Sequence, residues 1–380
     1  MNRKKVLLVT HVGDFIPQFE MDNVKFLQQQ GCEIHYAANF HLSSYGRKGE
    51  LLKNSGIICH QIPFQRSPFR KENLQAYKML KKLFEDEKFA MVHCHTPIGG
   101  ALARLAGRKF RKEGLKVVYT AHGFHFCSGA PRLNWLLYYP AEYLLSWLTD
   151  VQITINQEDY DRAARFFHAG KVVRIPGVGI DSRQLEKRIL EDRKRFRASL
   201  GVGEQDFCLL SVGELDANKN HETVLRALQE MDRRQIRYLI CGKGELEQEL
   251  QMKILEYGLE DTVKLLGYRN DAPAVYEAAD VFVFPSHREG LSVALMEAMA
   301  KGLPAVASRI RGNVDLIVDE KGGLLANSHS APEFARAILR LQKDPGLCKR
   351  MGEYNRKRVR LFDRAKVRSV MEKVYQEVLR

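Results

Sequence analysis

Two glutamates eight positions apart, Glu289 and Glu297, are the residues whose type and spacing most plainly suggest chemistry. They lie in Val281-Phe-Val-Phe-Pro-Ser-His-Arg-Glu-Gly-Leu-Ser-Val-Ala-Leu-Met-Glu297, which reads as a buried strand, a polar loop and a helix opening near Gly290–Ser292. Glycine lets such a loop pass close to a ligand, and the free N–H groups of a first helical turn suit a phosphate. Carboxylates in the loop and two turns into the helix can accept hydrogen bonds from paired hydroxyls, as on a ribose or a hexose. A second segment, Leu210-Ser-Val-Gly213-Glu214-Leu215-Asp216-Ala-Asn-Lys219-Asn220-His221, has the same strand, glycine turn and helix. It sets Lys219 at the mouth of a helix capped by Asn220, where an ammonium neutralises a phosphate as a point charge.

Other signals carry less. Asp159-x-Asp161 has the form of a metal-binding pair but follows Thr154-Ile-Asn156-Gln-Glu158, a capped helix start with acids in its first turn. His93-x-His95 shares one face of a strand end. With no third ligand evident it reads as a polar edge beside Thr96-Pro97, and no metal is expected. The first strand runs into Thr10-His11-Val12-Gly13-Asp14 rather than G-x-G-x-x-G, and a Walker A pattern is missing. Nicotinamide oxidoreductases and P-loop nucleotidases are thereby disfavoured. The seven cysteines are scattered without a C-x-x-C, so neither a disulfide framework nor a zinc ribbon fits. They read as small buried hydrophobes in a reducing cytoplasm.

The elements that must position these residues follow from length and periodicity. A chain of 380 residues favours two domains. Short apolar runs alternate with amphipathic stretches, the pattern of parallel sheets covered by helices. Strands are predicted at 5–10, 33–37, 57–62, 91–94, 117–120 and 151–155, and again at 207–212, 237–241, 263–266, 281–284 and 305–307. Helices are predicted at 182–199, 222–231, 245–257, 291–300, 331–342, 344–361 and 363–379. The break at Ile175-Pro-Gly-Val-Gly-Ile-Asp181 separates a domain 1–178, completed by the C-terminal helix at about 363–380, from a domain 179–362. The expected fold is α/β: two doubly wound Rossmann-like domains facing a central cleft, with strand C-terminal ends toward the ligand.

The formal charge is +14, and it is uneven. Residues 1–180 carry 25 basic against 15 acidic side chains, and residues 181–380 carry 35 against 31. Such an excess calls for an anionic partner. The stretch Leu133–Leu148 sets Trp135, Tyr138, Tyr139, Tyr143 and Trp147 among leucines, broken by Pro140 and Glu142. It reads either as an interfacial helix on an anionic membrane or as a buried helix. A cationic face at Arg104, Arg108, Lys109, Arg111 and Lys112 comes without a nucleic-acid motif, so nucleic acid is not an expected partner. Asn2-Arg-Lys-Lys5 before a short apolar run reads as a basic start feeding a buried strand rather than a signal peptide, and no stretch reaches bilayer length.

With these motifs in place, nearly the whole chain resembles the family 4 glycosyltransferases, retaining nucleotide-sugar transferases of GT-B fold. Glu289-x7-Glu297 matches the family's E-x7-E, and Gly213 through Lys219-Asn220 its G-R-L-x-x-x-K-N turn. Cys241-Gly242-Lys243-Gly244 is similar to the strand-end turn near the nucleoside, Gly267-Tyr268-Arg269 to the loop edging the base, and Tyr119-Thr-Ala-His122-Gly123 to the first domain's histidine element. Gly123-Phe-His125-Phe-x-x-Gly129-Ala-Pro131 and Asn134-Trp-x-x-Tyr138-Tyr139-Pro-x-Glu142 resemble the bacterial exopolysaccharide and capsule branch.

The resemblance implies that Glu297 holds the ribose, while Glu289 with Gly290, Leu291 and Ser292 grips the donor sugar. Lys219 would contact the diphosphate, His122 would approach the transferred sugar, and Gly13 would let the first loop close on the phosphates. Gly213, Gly242, Gly244, Tyr268, Arg269 and Arg288 complete the expected donor side; His11, His95, His125, Gly129 and Asn134 are the expected acceptor side. One position departs: the family's arginine after the first glycine is Glu214 here, leaving Arg288 or Arg269 as substitute cations. The implied reaction is metal-independent transfer from a nucleoside-diphosphate sugar, with a uracil base favoured, to a hydroxyl of a lipid-linked saccharide. The attack would be on the front face, in a cytoplasmic protein peripheral to the plasma membrane. Rival readings are a glycosidase using the paired carboxylates, a sugar-nucleotide epimerase of the same fold, and a degenerate transferase serving as a membrane-bound assembly partner.

Overall fold

The computed structural model describes residues 3–42, 49–187 and 189–380. The chain forms two compact units, Met1–Val178 with Ala365–Arg380 and Gly179–Arg364. The first is built on seven parallel strands: β1 (Lys5–Val9), β2 (Glu33–Ala38), β3 (Ile57–Gln61), β4 (Phe89–His95), β5 (Lys116–Ala121), β6 (Val151–Thr154) and β7 (Lys171–Arg174), in the order β3-β2-β1-β4-β5-β6-β7. The second has six: β8 (Phe207–Val212), β9 (Ile236–Cys241), β10 (Val263–Gly267), β11 (Val281–Phe284), β12 (Ala305–Ser308) and β13 (Gly323–Ala326), ordered β10-β9-β8-β11-β12-β13. Each sheet reverses its winding once, between β1 and β4 and between β8 and β11. Ligands of such sheets bind outside the strand C-terminal ends at that switch point.

The central strands are near-continuous apolar runs because both sheet faces are covered. Val281, Phe282, Val283 and Phe284 are all buried, as are Leu209 and Leu210 beside them. The C-terminal helix Arg364–Val378 belongs to the first unit and buries Val367, Met371, Val374 and Tyr375. The Tyr375 hydroxyl lies 2.9 Å from His93 Nδ1.

Three expectations are corrected. The helix expected at 182–199 is two helices, Ser182–Glu186 and Arg193–Ser199, capped by Asp181 and Asp192. Glu277 takes the N–H groups of Ile189 and Leu190, which therefore cannot continue a helical ladder; Arg188, like Asn2 of the basic start, lies outside the described residues. Strands β7 and β13 were not anticipated. Arg104, expected on a cationic surface, is fully buried in an ion pair with Glu142 at 2.9 Å. Among the described residues no helix is long and apolar enough to cross a membrane, and all seven cysteines are free.

Candidate donor and histidine sites

In the second unit the two motif segments leave neighbouring strands of the switch point, β8 and β11. Lys219 Nζ donates to Glu289 Oε1 at 2.6 Å. Both side chains are largely but not wholly covered, at 20% and 12% exposure, so this charge pair stays open to a ligand. The Lys219 backbone is tied by its N–H to Asp216 Oδ1 at 2.8 Å. Asn218 reaches across to the second loop, its Nδ2 donating to the Arg288 carbonyl and its own carbonyl accepting from His287 N. Arg311 Nε donates to the Glu289 carbonyl at 3.1 Å. The loop bearing Glu289 and Gly290 is thus held from both sides. Asn218 and Arg311 escaped the sequence reading because their contacts are to backbone, which leaves no pattern of spacing.

Helix Val293–Ala300 begins at Ser292, whose side chain accepts from Leu295 N. Leu291 and Ser292 are buried and Gly290 half-buried. Glu297 lies in this helix with Oε2 accepting from the Tyr276 hydroxyl at 3.0 Å, and burial raises its carboxyl above the usual range. Asn220 does not cap its helix as expected. It adopts a left-handed backbone with φ 54° and donates instead to the carbonyls of Pro285 and Ser328. It therefore splices three strand-end loops rather than closing one helix.

The glycines have a packing reason. A Cβ on Gly242 would stand 1.7 Å from the Gly213 carbonyl oxygen, and one on Gly244 2.3 Å from that of Leu215. The turns after β8 and β9 are pressed together there, leaving Gly213 over the Lys219 stem. Of the expected substitute cations, Arg269 is held by Asp271 through two bonds of 2.7 and 2.5 Å, whereas Arg288 is exposed and makes no ion pair among the described residues. Tyr268 is 70% exposed, and Glu214 is exposed as well. Lys243, between the two glycines, is a further exposed cation that the sequence reading did not single out.

In the first unit the histidines gather at the ends of β4 and β5. His93 and His95 share a face with ring centroids 4.1 Å apart. His93 is saturated by Tyr375 and by Thr120 at 2.8 Å. His95 Nδ1 lies 3.1 Å from His122 Nε2 and 3.9 Å from Glu20 Oε1. Glu20 is thus the third group near the histidine pair that spacing had not revealed. The ligand atoms of Glu20, His95 and His122 lie within 4.8 Å of one another. Thr96, next along, has φ 62° and ψ 145°, a conformation costly for a β-branched residue, and its hydroxyl accepts from His11 N. Gly13 is closed in, since a Cβ there would meet Phe40 at 2.5 Å. His125 is exposed with its ring tilted against Tyr138 at 4.6 Å between centroids, Asn134 Nδ2 donates to its carbonyl, and Gly129 turns at φ 80° with open space around it. Asp159 is buried and accepts from Phe124 N and Asn156 Nδ2, a structural role in keeping with the capped-helix reading.

Burial pushes the imidazole of His93 down to about 3 and that of His221 to about 4. In the unfolded chain both take up protons below about 6.5. The unfolded state therefore binds more protons as pH falls from about 6.5 toward 4, and stability is lost over that window at up to about 1.4 kcal/mol per pH unit for each imidazole. Glu20 acts oppositely: burial raises its carboxyl to about 7, so its contribution is lost as pH rises from about 4.5 to 7. Burial also lowers His95 and His122, and these four imidazoles outweigh the raised carboxyls of Glu20 and Glu297. The urea midpoint is expected to fall between pH 6.5 and 4.5, and a flat or rising midpoint would contradict this assignment.

Two doubly wound parallel sheets, one presenting a lysine–glutamate pair at its switch point, form the GT-B architecture of nucleotide-sugar transferases. Over 99% of this chain and all of the other, the fold is similar to that of Anabaena HepE, crystallised with UDP and glucose, with TM-score 0.79 and 19% identity. Residues 192–358 match the profile "Glycosyl transferases group 1", and residues 21–182 match "Glycosyltransferase Family 4". EpsD of Bacillus subtilis strain 168 is 37% identical over 375 residues, covering 98% of this chain and 96% of the relative. The UDP-Gal:alpha-D-GlcNAc-diphosphoundecaprenol alpha-1,3-galactosyltransferase of Escherichia coli is 30% identical over 295 residues, covering 76% and 73%. The chain belongs to glycosyltransferase family 4 and is a transferase of the EC 2.4 class.

Proposed function

We propose that this glycosyltransferase moves a sugar from a nucleoside-diphosphate donor, a uracil nucleotide by preference, to a hydroxyl of a lipid-linked saccharide in exopolysaccharide or capsule synthesis. The observation that carries the reading is the Lys219–Glu289 pair of 2.6 Å beside the helix opening at Ser292. Lys219 and the first-turn N–H groups meet the charge that develops on a departing diphosphate. Glu289 takes donor-sugar hydroxyls, and Glu297, oriented by Tyr276, takes those of the ribose. With Lys219 and these N–H groups taking the leaving-group charge, the reading needs no metal. The leaving oxygen accepts the acceptor's proton on the face it vacates, which retains the anomeric configuration. On the first unit, His122 is the group assigned to the transferred sugar. The donor named for the Escherichia coli relative and the UDP bound to HepE support the uracil base; the diphosphoundecaprenol in that relative's name supports a lipid-linked acceptor.

Released nucleoside diphosphate, measured over a donor panel with and without a lipid-linked saccharide in the presence of a chelator, tests the proposal. Acceptor-dependent release that survives chelation is expected. Sugar release without nucleotide would indicate a glycosidase, acceptor-independent conversion an epimerase, and no turnover with any donor an assembly partner.

Attachment to an anionic membrane face is part of the same reading, as is a cytoplasmic location. Helix Arg132–Ser146 exposes Leu133, Leu136, Leu137 and Leu144, continued by Trp147, in one stripe at helical spacing. Exposed Arg108, Lys109, Lys112 and Arg132 supply the charge. Leu136→Ser with Leu144→Ser is expected to weaken co-sedimentation with phosphatidylglycerol vesicles by about ten-fold. Wild-type binding should decline with salt; absent or salt-insensitive binding would refute the attachment.

A further inference from the structure

We infer that Glu20 and His95 are positioning residues that fix His122 in the tautomer carrying its proton on Nδ1, so that a neutral imidazole offers substrate a hydrogen-bond donor. The inference rests on the reading of His122 as the first unit's sugar contact. Its basis is a proton inventory. His95 Nδ1 and His122 Nε2 are 3.1 Å apart and share one hydrogen. If His122 donated, His95 would carry its own hydrogen on Nε2, an enclosed atom with no partner among the described residues. His93 cannot serve that atom, since Tyr375 and Thr120 occupy both its nitrogens.

Glu20 decides the direction. Asn23 Nδ2 donates to Glu20 Oε2 at 2.5 Å and leaves Oε1 facing His95 Nδ1 at 3.9 Å. Once ionised, above about pH 7, Glu20 sets an acceptor oxygen beside Nδ1 that favours the hydrogen there, so His95 donates and His122 Nε2 accepts. A neutral His122 then has its hydrogen on Nδ1, the ring nitrogen that makes no hydrogen bond among the described residues. Burial holds His122 at about 4 and so keeps it neutral near pH 7. Phe15 packs its ring on both imidazoles, at 5.3 and 5.0 Å between centroids, and limits their rotation. The arrangement parallels the way outer partners set the tautomer of a working histidine, where their loss costs about 10–100-fold.

The test is a long-range ¹H–¹⁵N spectrum of the full chain labelled at histidine, with His122→Ala assigning its signals. At pH 8, with Glu20 ionised, wild type should show His122 as the Nδ1–H tautomer. Glu20→Gln, which retains volume and the Asn23 bond, and His95→Phe should each give mixed tautomers. Both should lower kcat about 10–100-fold with donor KM within two-fold. A wild-type Nε2–H tautomer, or variants with the wild-type spectrum, would overturn the inference. So would stoichiometric binding of Zn²⁺ abolished by His95→Phe, because the same three groups would then be metal ligands. Wild-type turnover in His122→Ala would instead refute the sugar-contact reading and leave the tautomer result standing.

Discussion

Lys219→Ala is expected to lower kcat by about 10²–10³ while the protein stays folded, measured as nucleoside diphosphate released at saturating donor. The magnitude is that of one preorganised donor lost from a site where charge develops. Its neighbours argue for the upper end. Where the family has a second cation, this chain has Glu214, exposed and of the wrong sign. Arg269 is engaged by Asp271. On the proposed function Lys219 would therefore carry an unusually large part of the leaving-group charge, with Arg288 and Lys243 as exposed auxiliaries. Its ammonium donates to Glu289 and lies 5.2 Å from the Phe284 ring centroid, so a diphosphate there would exchange one anion for another. Lys219→Arg should recover little, because a planar guanidinium fork does not replace a compact point charge at the same place. A loss below ten-fold in Lys219→Ala would remove this lysine from the chemistry.

The sequence made the central strands and donor segments legible for one physical reason. A strand buried on both faces is an unbroken apolar run, and a loop that must pass close to phosphate is rich in glycine. Val281–Phe284 followed by Glu289-Gly290 shows both within ten residues. Strands β7 and β13 were hidden because each lies at a sheet edge, with only two adjacent bulky apolar residues in Lys171-Val-Val-Arg174 and Gly323-Leu-Leu-Ala326. Glu20 was hidden because it sits between two short helices while its partner His95 ends strand β4, far along the chain. Spacing reports neighbours on one element; it is silent on groups that only folding brings together. The same limit made Arg104 look like a surface cation, since the carboxylate that neutralises it is 38 positions away.

That carboxylate leads to the largest stability effect expected. Glu142→Ala should destabilise the first unit by about 3–5 kcal/mol, the cost of leaving a buried charge without its partner. Arg104 is fully buried, stacks 3.9 Å over the Tyr119 ring, and spends Nε on the Gly100 carbonyl and Nη2 on Glu142. Tyr119 adds its hydroxyl to the other Glu142 oxygen at 3.1 Å. In a unit of this size each kcal/mol moves Tm by about 2–4 °C, so calorimetry should show a fall of roughly 6–20 °C. Removing both charges tests whether the pair itself or only its imbalance matters. Arg104→Met with Glu142→Leu should recover most of the loss, because apolar replacement of a buried pair is often neutral. The recovered fold should still lose activity. Arg104 and Glu142 join helix Pro97–Gly107, which follows His95, to helix Arg132–Ser146, and Tyr119 beneath them stands on the strand that ends before His122. If the double variant regains stability and full kcat together, the ion pair holds only the fold; if it regains stability alone, the pair also sets the register of the histidines.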